Sequence, residues 1–501
     1  MRLARNMAAG MANSVVVVLI NLAVLPLYLR LLGMEAYGLI GFYATLQTVL
    51  QVLDLGLAPT VSREIAKDAE IGQRRRSASL LRTLGVVYIG VALLIAALVA
   101  FASTWIGAHW LQAKALPEAT VAQAVALMGV NLACRWPISL YHGALVGAHR
   151  LARSAATSMT INILAAITTI AVLAWGERSI RAFFVVQAAF GLLQAIVLSV
   201  LARRAVGEQD APYDFAGLRR VLHFSAWMSG IAITSLVYTQ LDKALLSRLI
   251  DLESFGHYML AALLVSGLSV LTGPAFNVIY PKFTTLHARD DEAGLAKFYS
   301  DTSRMFAAAV FSLALALALH VEAIVTLWTG RADVALRVAP LVALLAVGSA
   351  LNGLMYFPYA LQLATGKPRI PFSISVALLV VALPTIVWLT LHRGAIGGAL
   401  SWAMLGVVYV VVGTIVTGRK VAGFAGPGWL ARDIAIPLVL ALLPALAGAW
   451  ISHAFVLSPL VETAIALVAA CIGISSGALY SPFARQQVLA FVGARTRPCP
   501  N

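Results

Sequence analysis

Of 501 residues, 61% are hydrophobic and 11% charged, less than half the charged share of about 25% in an ordinary soluble chain. At roughly 20 apolar residues per crossing, such a chain holds on the order of 12 to 15 membrane spans and no separate soluble domain. Only three cysteines occur, Cys134 and Cys471 in apolar runs and Cys499 in the tail, which excludes a disulfide framework and a thiolate metal site.

The apolar runs fall in chain order at about 12–32, 37–58, 83–105, 119–142, 154–175, 180–201, 226–250, 255–280, 303–328, 334–364, 370–392, 396–417, 433–453 and 459–481. The spacing therefore predicts an all-α polytopic membrane protein with about 14 transmembrane helices. The net charge of +15 resolves as topology. With the amino terminus inside, 26 of the 36 Lys and Arg lie in cytoplasmic segments and eight in outer connections, so both termini are expected in the cytoplasm and no nucleic-acid partner is needed. The longer inner connections, 60–82, 203–225 and 282–302, mix apolar and charged residues as interfacial helices do.

An internal repeat marks the first outer turn of each half. Leu31-Leu32-Gly33-Met34-Glu35-Ala36-Tyr37-Gly38 recurs as Leu249-Ile250-Asp251-Leu252-Glu253-Ser254-Phe255-Gly256, 218 residues on. An even number of spans separates the two, which predicts two six-helix lobes related by a parallel pseudo-repeat, 1–205 and 206–420, then two additional helices in 421–481 and a cytoplasmic tail, 482–501.

Polar residues share helix faces in spans 1, 2 and 4 and again in spans 7, 8 and 10. The first span carries Asn6, Asn13, Asn21 and Tyr28; the second, Tyr43, Gln47, Gln51 and Asp54; the fourth, Asn131, Arg135, Ser139 and His142. The seventh carries Thr234, Tyr238 and Asp242 beside Ser235, Thr239, Lys243 and Ser247; the eighth, Ser266, Ser269, Asn277 and Tyr280; the tenth, Asn352, Tyr356, Tyr359 and Gln362. One reading is a water-filled cavity lined by these faces; the other is ordinary hydrogen bonding between helices.

A charge at the bilayer centre costs about 2.5 to 3.5 kcal/mol on insertion scales. Arg135 and Lys243 are the bases well inside spans, and Asp54, Asp242 and Glu322 the candidate acids. The candidate substrate-binding residues are accordingly Gln47, Gln51, Asn131, Arg135, His142, Tyr238, Lys243 and Tyr356, with Asp54 and Asp242 as coupling or gating groups. An Arg fork suits an oxyanion, and the alternative for Arg135 is a salt bridge to Asp54 or another acid. Asp242 and Lys243 are adjacent and point about 100° apart on a helix, so they are expected to find separate partners. His320 and Glu322 are expected at a surface near the outer interface.

Pro26-Leu27-Tyr28-Leu29-Arg30-Leu31-Leu32-Gly33, Tyr37-Gly38, Leu53-Asp54-Leu55-Gly56-Leu57 and Arg63-Glu64, together with Gln240-Leu241-Asp242-Lys243, Phe255-Gly256 and Tyr258, resemble bacterial polysaccharide flippases of Wzx type. These belong to the multidrug, oligosaccharidyl-lipid and polysaccharide exporter superfamily. The resemblance implies a V-shaped pair of lobes in the inner membrane that carries an undecaprenyl-diphosphate-linked glycan outward by alternating access. Candidate partners are a polysaccharide polymerase and other assembly proteins, besides membrane lipid, with proton or sodium coupling left open. The rivals are a cation-coupled drug antiporter of the same superfamily and a membrane-embedded glycosyltransferase, polymerase or ligase. Against an enzyme, the outer connections offer few acids or bases, and there is no P-loop, zinc-ligand spacing or nucleophile elbow, so no cofactor is expected.

Overall fold

The computed structural model describes residues 20, 22–51, 54, 57–70, 72–207, 212–214, 236–455 and 457–481, the side chains of Gln51 and Glu70 excepted. Asn6, Asn13, Asn21, Thr234, Ser235, the Gln51 side chain, most of the 203–225 connection and the tail beyond 481 lie outside the described residues. The described chain is helical, with one isolated parallel bridge between Gln112 and Asp251 and no strand. It divides into two compact units, Met1–Gly256 and His257–Asn501.

The first unit holds α1 (Leu22–Leu32), α2 (Met34–Gln51), α3 (Leu57–Glu70), α4 (Arg74–Trp105), α5 (Glu118–Arg135), α6 (Pro137–Gly147), α7 (Leu151–Trp175) and α8 (Ile180–Val206). It also holds α9 (236–249) and the start of α10 (Leu252–Ser266). In α3, Leu57, Val61 and Ile65 recur every four residues and are buried against Leu80, Leu84 and Tyr88 of α4 and Leu140 and Ala144 of α6. Its opposite face carries Arg63 and Lys67, so α3 is amphipathic, as the mixed residues of 60–82 predict. Gly143 and Gly147, one turn apart on α6, lie against the α3 backbone at Ala58 and Ser62, the small-residue crossing that packs helices in lipid.

The second unit holds α11 (Thr272–Ala288), α12 (Glu292–Leu319), α13 (Val321–Thr329), α14 (Ala332–Leu354), α15 (Tyr356–Ala364), α16 (Arg369–Lys420), α17 (Ala435–Ala454) and α18 (Pro459–Tyr480). A kink at Gly394, with φ 58° and ψ −138°, splits α16 into the two spans expected at 370–392 and 396–417. Only a residue without a Cβ takes such a backbone readily. The expected inner connection 282–302 does not form a separate interfacial helix: α11 and α12 run on through it, and the break is confined to Arg289–Asp291, where Asp291 caps α12 through the Gly294 N–H. An Asp cap stops one helix and starts the next within three residues.

Among the described residues ten helices are long and apolar enough to cross a membrane, α16 counted once. With α2 and the described parts of the first and seventh spans, they fall in the order the apolar runs predict. The two additional helices pack on α12, where Cβ atoms at Gly473 and Gly477 would collide with Ser312 and Ala308. A buried clasp, absent from the sequence reading, fastens them. Asp433 accepts from Arg304 Nε (2.8 Å) and Ser300 Oγ (2.6 Å) and pairs with Arg304 Nη2 at 2.7 Å, while Trp429 donates to Ser303 Oγ at 2.8 Å.

Candidate functional site

Pro137 lacks an N–H and cannot continue the hydrogen-bond ladder of α5, so the fourth span breaks at Trp136 and restarts as α6. Arg135 sits at that break, half-buried. Its Nη2 donates to Gln187 Oε1 on α8 (2.9 Å) and its Nε to Asn131 Oδ1 one turn earlier (3.2 Å). Gly191 on α8 leaves room for its stem, since a Cβ there would fall 2.9 Å from Arg135 Cγ. Among the described contacts Arg135 meets amide oxygens and no carboxylate, so the expected alternative of a salt bridge to Asp54 is not what the structure contains. Asn131 Nδ2 and the Tyr43 hydroxyl are buried with no acceptor. A buried donor without a partner costs about 1 to 3 kcal/mol. A guanidinium and two unsatisfied donors thus belong to spans 2 and 4.

Asp54 is engaged elsewhere. Its carboxylate accepts from the Tyr88 hydroxyl of α4, from Ser139 Oγ of α6 (3.2 Å) and from the Ala58 N–H (3.3 Å). It therefore ties the C-terminal end of the second span to the third and fourth. His142 Nδ1 lies 2.7 Å from Ser154 Oγ on α7, and Gln47 is half-buried on α2.

The connection after α4 forms a strap across the two repeated turns. Glu35, buried at the start of α2, accepts from the consecutive N–H groups of Lys114, Ala115 and Leu116 at 2.8 to 3.0 Å; such a backbone concavity binds anions. Farther along the same strap, Gln112 O accepts from Leu252 N (2.9 Å) and Gln112 Nε2 donates to Arg248 O (2.8 Å). Trp110 Nε1 donates to Ser247 Oγ (3.0 Å), and Lys114 pairs with Asp251 at 3.7 Å. Beneath it the repeat packs on itself. A Cβ at Gly38 would collide with Leu252 O, and a Cβ at Gly256 would lie 2.7 Å from Met34 O. Residues 34 and 252, and 38 and 256, are equivalent at the 218-residue offset, so the contact is reciprocal. Glu35 is consumed by this packing and is no free acid for catalysis.

In the seventh span the expectation for Asp242 and Lys243 is overturned. Lys243 Nζ lies 3.3 Å from both Asp242 oxygens and donates to Thr239 O at 3.1 Å. The angle between adjacent Cα–Cβ bonds does not bind a four-carbon stem, which folds back along the helix and brings the ammonium to its neighbour. Tyr238 is half-buried one turn before Asp242.

In the second unit, the tenth span breaks at Met355, ahead of Pro358. Asn352-Gly-Leu-Met-Tyr356-Phe357-Pro358 reproduces Asn131-Leu-Ala-Cys-Arg135-Trp136-Pro137 in its Asn, aromatic and Pro, and Tyr356 takes the place of Arg135. This second register was present in the sequence and went unread, because a single Asn and Pro stand out only once both helices are seen to break there. Tyr356 is exposed and joins Phe276, Tyr280 and Tyr359 in one ring cluster. Gln362 is committed to Thr417 Oγ1 at 2.7 Å. His320 is not at a surface: it is buried, with Nδ1 3.5 Å from Glu462 of α18, because the additional helices cover the C-terminal end of α12. Glu322 is exposed as expected. No group of three or more His, Cys, Asp or Glu suited to a metal ion occurs among the described residues.

Residues 3–287 match the family described as Polysaccharide biosynthesis protein. A Shigella flexneri protein named "Putative O-antigen transporter" is 21% identical over 219 residues, 43% of this chain and 51% of that protein; the match spans about half the length of this curated relative. The fold is similar to that of the Lipid II flippase MurJ in an inward closed conformation, with TM-score 0.69, 12% identity and coverage of 96% of this chain and 99% of that one. It is also similar to an inward-facing multidrug resistance MATE family transporter of the MOP superfamily, with TM-score 0.61, 14% identity and coverage of 80% and 95%. Those solved structures are transporters rather than enzymes, and at such identities the likeness establishes the fold.

Proposed function

Because the chain belongs to the polysaccharide biosynthesis protein family, we propose that it is a flippase translocating an undecaprenyl-diphosphate-linked oligosaccharide from the cytoplasmic to the periplasmic leaflet of the bacterial inner membrane by alternating access. The observation that carries this reading is Arg135, a half-buried cation at a helix break whose partners are amide oxygens, together with the unpartnered donors Asn131 Nδ2 and Tyr43 OH on the same spans. Such a set lacks acceptors, and a diphosphate supplies them. A drug-cation antiporter would want the reverse polarity. An inside-negative potential assists outward movement of the anionic head by about 2.3 kcal/mol per charge per 100 mV. Gln47, Gln51, His142, Tyr238 and Lys243 are further contacts along the route, and Asp54 and Asp242 are the coupling or gating carboxylates. The lobes 1–205 and 206–420 are the moving bodies, with both termini in the cytoplasm.

The test is surface glycan in cells carrying the variant at native abundance. Arg135→Ala is expected to reduce export by about tenfold or more, the effect of losing a charge-assisted contact worth about 1.5 to 3 kcal/mol, and Arg135→Lys to recover part of it. Normal glycan with Arg135→Ala removes this residue from the mechanism. A phosphatase fused after Arg289 should be inactive, and a periplasmically active fusion overturns the orientation.

A further inference from the structure

We propose that the ring cluster of the eighth and tenth spans is a sugar-stacking subsite that takes the pyranose rings of the transported glycan. It rests on the flippase reading above and concerns the sugars alone, which it assigns to Phe276, Tyr280, Tyr356 and Tyr359.

Phe276 is the centre of the cluster. Tyr280 stacks on it at 5.5 Å with 5° between ring planes, Tyr359 at 5.7 Å and 29°, and Tyr356 meets it edge-on at 6.1 Å and 78°. Tyr356 and Tyr280 remain 37% and 36% exposed. The same two helices carry a second ring cluster for contrast. Phe283 and Phe357 pack with Tyr299 and Trp429, and all four are at most 1% exposed. Phe357 and Tyr356 are sequence neighbours on different faces of α15, so one face fills the core and the other keeps its rings uncovered.

The chemistry of the uncovered face narrows its ligand. Aromatic faces carry negative charge density that attracts polarised C–H groups, and a tyrosine adds a hydroxyl at the rim. A pyranose ring has the complementary form, an apolar C–H face with hydroxyls around its edge. Three tyrosines around one phenylalanine bring hydroxyls and ring faces together, whereas a lipid-facing surface of these spans needs only aliphatic side chains, as at the neighbouring Val278. The second register adds placement. Tyr356 holds the position at the break of the tenth span that Arg135 holds at the break of the fourth, so a face that meets substrate in one repeat has its counterpart in the other. Tyrosines anchoring helices at the membrane interface are the competing account.

The test is equilibrium binding to the full-length protein in nanodiscs, with two probes: the glycan-bearing undecaprenyl diphosphate extracted from producing cells, and undecaprenyl diphosphate alone. The wild type should bind the glycan-bearing lipid more tightly. The double variant Tyr280→Leu, Tyr356→Leu should weaken that binding about tenfold and leave the bare lipid unchanged. Tyr356→Phe, which keeps the ring, should stay within about threefold of wild type. Arg135→Gln should weaken both lipids alike. Equal losses for both probes in the double variant, or no loss for either, overturn the subsite. If the wild type binds neither lipid, the flippase reading fails and this proposal fails with it; if it binds both equally, only this proposal fails.

Discussion

At the break between α5 and α6 the side chain before the aromatic and proline is Arg135, held by amides; at the break between α14 and α15 it is Tyr356, set among rings. The backbone device is the same in both, an Asn, then a proline six residues later that interrupts the ladder. A repeated break fixes where a side chain stands without fixing what it is, and the two halves fill that place with a cation and with an aromatic. The repeated turns show the same division. Gly38 and Gly256 make reciprocal backbone contacts, while two carboxylates at non-equivalent places serve the turns differently: Glu35 enters a cage of three N–H groups, and Asp251, which stands where the first turn has Gly33, caps α10 and meets Lys114.

The largest effect should come from the caged carboxylate. Glu35→Ala leaves three strap N–H groups without their anion, a loss on the order of 3 kcal/mol for hydrogen bonds to a charged group, and thermal melting of the protein in detergent should fall by several degrees. Melting at the wild-type temperature would show that the strap does not depend on Glu35. The glycine contact tests the symmetry itself. Gly38→Ala and Gly256→Ala should each cost about 1 to 3 kcal/mol by overpacking, by similar amounts. The double variant should cost less than their sum, because one separation of the two turns accommodates both added methyl groups. A large difference between the single variants would break the equivalence of the two turns.

How much of this was legible depended on the range of the interaction. The spans, the additional helices and the repeat at 31–38 and 249–256 follow from apolar length and local pattern, and the structure returns them as far as the described residues reach. The half-buried Arg135 and its face-mate Asn131 were visible through helical spacing. Its partner Gln187 was not, since nothing in α8 advertises which turn faces the fourth span. The clasp of Arg304 with Asp433 joins residues 129 apart that stand, one by one, as single charges at the starts of two spans. His320 read as a surface residue because burial by α18 is a tertiary fact. The contact of Lys243 with Asp242 was excluded by reasoning from Cα–Cβ directions alone, which ignores the reach of a long side chain.

The smallest effect is at Asp251, and pH identifies it. Burial works to raise this carboxyl, but the Ser254 N–H and hydroxyl and the Lys114 ammonium together hold it below the ordinary carboxylate range. The folded carboxyl therefore binds its proton less readily than the unfolded one. Its stabilisation is fully present above the unfolded value of about 3.9 and is lost as pH falls through the depressed folded value. Asp251→Asn keeps an acceptor for the Ser254 N–H but loses the charge at the start of α10 and the attraction to an exposed Lys114, so the cost at neutral pH should be no more than about 1 kcal/mol. The melting gap between wild type and variant should be flat from pH 5 to 8, as both states are ionised there, and should close in stronger acid. Added salt should narrow it, since the ammonium is in solvent. A gap that opens or closes near pH 6 to 7 would instead assign the effect to a group other than this carboxyl, and Asp251 would lose its place as the weaker of the two carboxylates that the strap meets.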